Sequence, residues 1–302
     1  MTLLELIEDG AQRFEAANLS YGHGTTNAFD EAAWLALWKL GLALDTPLDD
    51  GPDSQANRPL AQEDIAQVAT LFEARISSRK PAAYLTQEAW LQGFSFYIDE
   101  RSIVPRSLIA ELLVDGSFDY WLSESTQRVL DLCTGNGSLG IIAASVYPDV
   151  SVVGADLSPD ALAVARINVE RHGLQDRVRL LQSDGLQSPD LQAAGPFDLV
   201  LCNPPYVNAQ SMAALPPEYR AEPFLALDGN RHGSGDGMDF VRDLFKELAA
   251  HLSPQGVLVL EIGHERPYFE TAFPDLPAVW LDTSAGSDQV LLITRDALLS
   301  SQ

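Results

Sequence analysis

From residue 128 to residue 293, short apolar runs alternate with longer stretches carrying helical stripes, and this alternation constrains the fold more than any other feature. Residues 129–132, 150–155, 178–181, 197–202 and 257–262 read as strands, and 137–147, 159–172 and 236–252 as helices. The strand runs are almost continuously apolar, so both faces of each strand are covered, as in a parallel sheet with helices on either side. Ser158 before Pro159 supplies an N-cap and a first-turn proline for the second helix. Two further runs, 279–281 and 290–293, close the chain as an antiparallel edge pair. The expected fold is α/β, a doubly wound Rossmann-like sheet with an antiparallel edge, whose ligands belong at the C-terminal ends of its strands.

The preceding residues have a different period. Leu3, Leu4, Ile7, Ala11 and Phe14 recur at helical spacing, as do Ile65, Val68, Ala69, Phe72 and Ile76, with Trp34, Leu37 and Trp38 marking a helix between them. Residues 45–59, with three prolines and several acids, form a surface loop. Tyr21-Gly22-His23-Gly24-Thr25-Thr26-Asn27 brackets a histidine with glycines and reads either as a recognition loop or as a plain helix connection; Asp30 and Glu31 can charge the first turn that follows. Phe94, Phe96 and Ile98 alternate, 99–102 can turn, and Ile103-Val104 resumes an extended run, so a hairpin is expected here. The chain divides into a small helical domain, 1–86, a hairpin and linker, 87–126, and the α/β domain, 127–302.

The 19 basic and 43 acidic residues give a net charge of −24. Such a surface repels phosphate backbones and attracts a strongly basic protein, so direct nucleic-acid binding is not expected. Cys133 and Cys202 lack metal-ligand spacing and read as free thiols in a reducing compartment. No apolar run reaches membrane length, and the acidic N-terminus does not read as a signal peptide, so a cytoplasmic protein is expected.

Two stretches fall at strand ends. Asn203-Pro204-Pro205-Tyr206 follows the fourth strand. The proline pair cannot continue a ladder, which leaves Asn203 Oδ1 and the Pro204 carbonyl as acceptors at the sheet edge. Two acceptors that each take one N–H can hold a planar amide or amino group with its nitrogen facing an electrophile, and Tyr206 would wall that group. A simple turn after a strand is the structural alternative.

The other stretch, Asp131-Leu-Cys-Thr-Gly135-Asn-Gly137-Ser-Leu-Gly140, lies at the first strand-to-helix turn, and Asp156 follows at the end of the second strand. Read from Gly135 it matches a dinucleotide fingerprint, which keeps a nicotinamide oxidoreductase open. Asp131 argues otherwise. A carboxylate four residues before the first glycine opposes a pyrophosphate by roughly 4 kcal/mol for unit charges ~4 Å apart at an effective dielectric of ~20. The same carboxylate favours a ligand with an ammonium and a sulfonium, as in S-adenosylmethionine. Asp156 would then accept from ribose hydroxyls and Asp184 from the adenine amino group, with room left by Gly185.

Together these residues resemble the class I S-adenosylmethionine methyltransferases, and more narrowly the N5-glutamine methyltransferases of release factors and ribosomal proteins. The narrower match rests on Tyr21-Gly-His-Gly-Thr25, Asn27-Ala28 and Asp30-Glu31-Ala32; on Arg79-Lys-Pro81 and Ala83-Tyr-Leu-Thr86; and on Val104-Pro-Arg-Ser107 with Ile109-Ala110-Glu111. Ser107 favours the branch that acts on large-subunit ribosomal protein three (uL3) over the release-factor branch. The resemblance covers nearly the whole chain. It implies S-adenosylmethionine contacts at Asp131, Thr134, Gly135, Asn136, Gly137, Asp156, Leu157, Asp184 and Asn203. It implies catalysis by Asn203, Pro204 and Tyr206, and substrate contacts at Asn203, Pro204, Pro205 and Tyr206. The helical domain would recognise a basic ribosomal protein, and no metal is needed. Departures from the family pattern are Asn136 and Ser138 in the glycine loop, Gly185, and an insertion at about 230–234. Rival readings are a methyltransferase of release-factor glutamine or of nucleic-acid amino groups, and a non-catalytic acidic protein that binds a ribosomal protein during assembly.

Overall fold

A computed structural model describes residues 1–49, 51 and 53–301; positions 50 and 52 of the 45–59 loop lie outside the described residues. The chain forms two compact units, one of residues 1–89 with 216–222, the other of 90–215 with 223–302. The segment 216–222, which the sequence places inside the α/β part, belongs with the helices.

The first unit is built on α1 (Leu3–Ala16), α2 (Ala28–Lys39), α3 (Gln62–Ser78) and the short α4 (Ala82–Thr86). Thr2 and Glu5 close a capping box at α1, and the Asn27 side chain caps α2 by accepting from Asp30 N–H. Phe14 and Phe72, both fully buried, meet edge to face at 5.2 Å. The α3 stripe continues into Arg75, which has no exposed surface. Arg75 Nε lies 2.7 Å from Glu31, and its Nη1 is 3.6 Å from Glu218, itself bound by Arg79 at 2.8 Å. His23 is 1% exposed, packed against Tyr219 with the two rings tilted by 50°, and 3.4 Å from Glu222. The glycine-bracketed loop is thus folded inward on 216–222 and does not present its histidine to solvent.

The strands β1 (Glu88–Leu91) and β2 (Phe94–Tyr97) make a separate two-stranded sheet. A hairpin is present within 87–126 as expected, but its strands are 88–91 and 94–97, so its turn precedes Phe94 and does not lie at 99–102. The connection is Gln92-Gly93, both at positive φ (49° and 81°) as a two-residue turn of the primed type requires. Asp99–Ser102 does turn, with Ser102 N–H donating to Asp99 O, but residues 103–107 form no strand, and Pro105 has no N–H to add to a ladder.

The main sheet has seven strands: β3 (Arg128–Leu132), β4 (Ser151–Asp156), β5 (Val178–Gln182), β6 (Phe197–Cys202), β7 (Leu252–Glu261), β8 (Val279–Thr283) and β9 (Gly286–Thr294). Their order is β5-β4-β3-β6-β7-β9-β8, parallel except for the pairings of β9 with β7 and β8. Alternate residues of one strand enter different cores, which explains the continuous apolar runs. Val129, Leu199, Leu201, Val257 and Val259 pack with α5 (Ile109–Asp115) and α6 (Ser138–Val146). Leu130, Val200, Leu258 and Leu260 pack with the helices Asp239–His251 and Arg266–Ala272. Between β4 and β5 runs α7 (Pro159–Arg171), with the Ser158 side chain accepting from Ala161 N–H. After β5 the chain returns to the other side of β3, so the topological switch lies between β3 and β6. No helix among the described residues is long and apolar enough to cross a membrane.

Candidate active site

A cavity of about 260 Å³ opens at this switch point. Its wall contains the residues just beyond four parallel strands: Cys133 and Gly135 after β3, Asp156 and Leu157 at the end of β4, Asp184 and Gly185 after β5, Asn203 and Pro205 after β6. Leu132, Ala161 and Phe240 add apolar surface. The expected residues Gly135, Asp156, Leu157, Asp184, Asn203 and Pro205 are therefore brought together.

The turn after β3 is shaped from within. Cys133 takes φ +60° and Gly137 φ +85°; at Gly137 an added Cβ would also lie 3.2 Å from the Ala165 Cβ, so both backbone angle and space call for glycine. Asp131 is 1% exposed, and its Oδ2 accepts from the Thr134 hydroxyl and from Gly140 N–H at 2.8 Å. Burial pushes its pKa up to about 7 against the pull of those two hydrogen bonds. Asp131 Oδ1 is buried without a hydrogen-bond partner among the described residues, one layer behind the cavity wall.

Asp156 ties the turn to the next strand. Its Oδ2 accepts from Gly135 N–H and its Oδ1 from Ser158 N–H, both at 2.8 Å. Burial raises its pKa and these backbone donors lower it. Each carboxylate oxygen keeps lone-pair capacity for a hydroxyl in the cavity. Asp184 is half-exposed, and its Oδ2 is held by Arg231 at 3.0 Å.

Asn203 stands at the tip of β6, half-buried on the cavity wall, and its side-chain amide makes no hydrogen bond to the described residues. Pro204 is buried behind it.

Six expected residues are not on the wall: Asp131 and Pro204, placed above, and Thr134, Asn136, Gly137 and Tyr206. The Thr134 hydroxyl is spent on Asp131, and Gly137 serves as the N-cap position of α6. Asn136 is 2% exposed, donating to Ile103 O at 2.8 Å and accepting from Ser138 N–H at 3.0 Å. The Tyr206 ring packs over Gly263, where an added Cβ would lie 2.7 Å from Cε2, and its hydroxyl bonds to Glu261; burial and that carboxylate raise its pKa. Thr134, Asn136 and Tyr206 have their side-chain polar atoms taken up by Asp131, by Ile103 O with Ser138 N–H, and by Glu261, away from the cavity.

Several neighbours of the cavity were given no site role by the sequence. Asn168, fully buried on α7, accepts from Tyr97 N–H at 2.7 Å and donates to Tyr97 O and to Asn136 O, so it clamps the glycine loop. Ser107 donates to Glu261 at 2.5 Å, and Leu108 N–H donates to the same oxygen. Leu225 and Ala226, on the wall beyond the Glu222-Pro223 pair, are placed by Val207 N–H donating to Leu227 O and Gly229 N–H donating to Val207 O. A buried polar residue in an apolar helix stripe, as at Asn168, is the one signal that would have found any of them.

The Methyltransferase small domain family model matches residues 112–215. A ribosomal protein uL3 glutamine methyltransferase of Bordetella pertussis is 50% identical over 299 residues, covering 98% of this chain and 96% of that relative. Proteins of the same name from Burkholderia pseudomallei and Neisseria meningitidis serogroup A are 49% and 45% identical, covering 98% and 100% of this chain and 95% of each relative. With similarity of that order running from end to end, the chain belongs to the ribosomal protein uL3 glutamine methyltransferase family.

Proposed function

We propose that the chain transfers the methyl group of S-adenosylmethionine to the side-chain amide nitrogen of a glutamine in ribosomal protein uL3. The observation that carries this reading is the unpaired amide of Asn203 on the wall of a cavity that also holds Gly135, Asp156 and Asp184. The residues present suit the cofactor: Asp131 has a buried orphan oxygen one layer behind the wall, Asp156 retains acceptor capacity, and Leu132, Leu157, Ala161 and Phe240 supply apolar walls. When bound, S-adenosylmethionine supplies an electrophilic methyl on a sulfonium.

The work of the chain is positioning. An amide nitrogen is a poor nucleophile because its lone pair is delocalised into the carbonyl. Asn203 Oδ1 would accept one N–H of the substrate amide and the Pro204 carbonyl the other, fixing the nitrogen at attack distance and stabilising the positive charge that develops on it. The extra amide proton is acidic once the nitrogen is alkylated and passes to solvent without a dedicated base. The net charge of −24 favours a basic protein over a phosphate backbone as partner, and the helical unit is assigned to its recognition.

Transfer of labelled methyl from S-adenosylmethionine tests the reading with free uL3, uL3 carrying Glu in place of the modified glutamine, and naked ribosomal RNA. Label on the first alone is expected, because glutamate presents no N–H to Asn203 Oδ1 and costs ~1–3 kcal/mol in an unpaired acceptor. Label on RNA, or equal label on the Glu variant, overturns it.

A further inference from the structure

We propose that Arg231 is a positioning residue for the adenine end of the methyl donor, holding the Asp184 carboxylate so that its second oxygen receives the exocyclic amino group. The inference rests on the cofactor reading above and deepens it. Arg231 Nη2 lies 3.0 Å from Asp184 Oδ2. Both residues line the cavity at the strand ends, and both also line an adjoining cavity of about 260 Å³ that carries Lys246, Asp243 and Glu247. The ion pair therefore stands on the wall common to the two spaces and marks where the apolar cavity ends.

The backbone around Arg231 is pinned on both sides. Asn230 donates to Val207 O at 3.0 Å and accepts from Gly237 N–H at 2.9 Å. His232 N–H donates to the buried carboxylate of Asp239 at 2.6 Å, and the His232 ring contacts Asp243. A stretch held at 230 and 232 delivers the intervening side chain to one place. Asp184 needs that partner: it is 46% exposed and, left alone, would be free to turn into water. A guanidinium on one oxygen leaves the other as an oriented acceptor. Such an acceptor takes the amino group of adenine and is repelled by the carbonyl of hypoxanthine.

The test is calorimetric binding of S-adenosylhomocysteine and S-inosylhomocysteine to the full chain and to Arg231→Ala, Arg231→Lys, Asp184→Ala and the double alanine variant. The wild type should prefer the adenine form by about tenfold or more. Arg231→Ala should weaken adenine binding and bring the preference below about threefold, Arg231→Lys should keep most of it, and the double variant should bind like Asp184→Ala because the two losses are coupled. An unchanged preference in Arg231→Ala, or losses that add in full, overturns the proposal while leaving the cofactor reading intact. No binding of either nucleoside by the wild type overturns that reading and this inference with it.

Discussion

Gly135 N–H donates to Asp156 Oδ2 at 2.8 Å, so the tip of β4 fixes the glycine turn that follows β3. Asp156→Ala removes this tether together with the acceptor offered to a ribose. Hydrogen bonds to a charged group are worth ~1.5–3 kcal/mol each, so S-adenosylhomocysteine affinity measured by calorimetry should fall by ten- to a hundredfold or so. Turnover at saturating cofactor should change much less. Normal affinity in this variant would remove Asp156 from the binding site.

Asn203→Ala should have the opposite profile. Its amide makes no structural hydrogen bond, so folding and cofactor affinity should be kept, while turnover on uL3 drops by about 10²–10³, the usual effect of losing one preorganised polar group. Parallel calorimetry and single-turnover kinetics separate the two quantities, and an unchanged turnover excludes Asn203 from the chemistry.

Asp131 makes stability depend on pH with a definite sign. Its carboxyl is raised by burial from an ordinary value of 3.8 to about 7, so in this range the folded chain holds a proton that the unfolded chain has lost. The stability that this proton confers is present at low pH, declines as pH rises from about 4, and is gone above about 7. Asp131→Asn removes the titration. Urea midpoints measured from pH 5.5 to 8 should fall more steeply for wild type than for this variant, and parallel curves would contradict the assignment.

In the helical unit, Arg75 is wholly buried between Glu31 and Glu218, and burial raises the Glu31 pKa against the pull of Arg75. Arg75→Ala strands the Glu31 carboxylate in the core, while Glu218 keeps Arg79, and should cost ~3–5 kcal/mol in chemical denaturation. A loss below ~1 kcal/mol would mean that water reaches the pair.

The legible parts of the chain were those where one short stretch decides its own environment. The main strands could be read because each is apolar on both faces, and Asn203 and Asp156 because a proline pair or a helix start dictates where a strand ends. The hairpin turn was misplaced because Gln92-Gly93 lacks the usual Asn or Asp, although both residues adopt positive φ. Thr134 and Asn136 lie in the expected loop, but Asp131 takes up the hydroxyl of one and Ile103 O the amide N–H of the other, an outcome decided by hydrogen-bond supply around the turn. Arg75 with Glu218, and Arg231 with Asp184, could not be read at all, since ion pairing between distant segments leaves no periodic trace.

The central claim is that the cavity at the β3–β6 switch receives the methyl donor with its sulfur beside Asn203. A crystal structure of the chain with S-adenosylhomocysteine tests this most directly. The account predicts the homocysteine sulfur next to the Asn203 side chain, with the ribose on Asp156. A nucleoside bound elsewhere, or an Asn203 amide turned into the core, would contradict it.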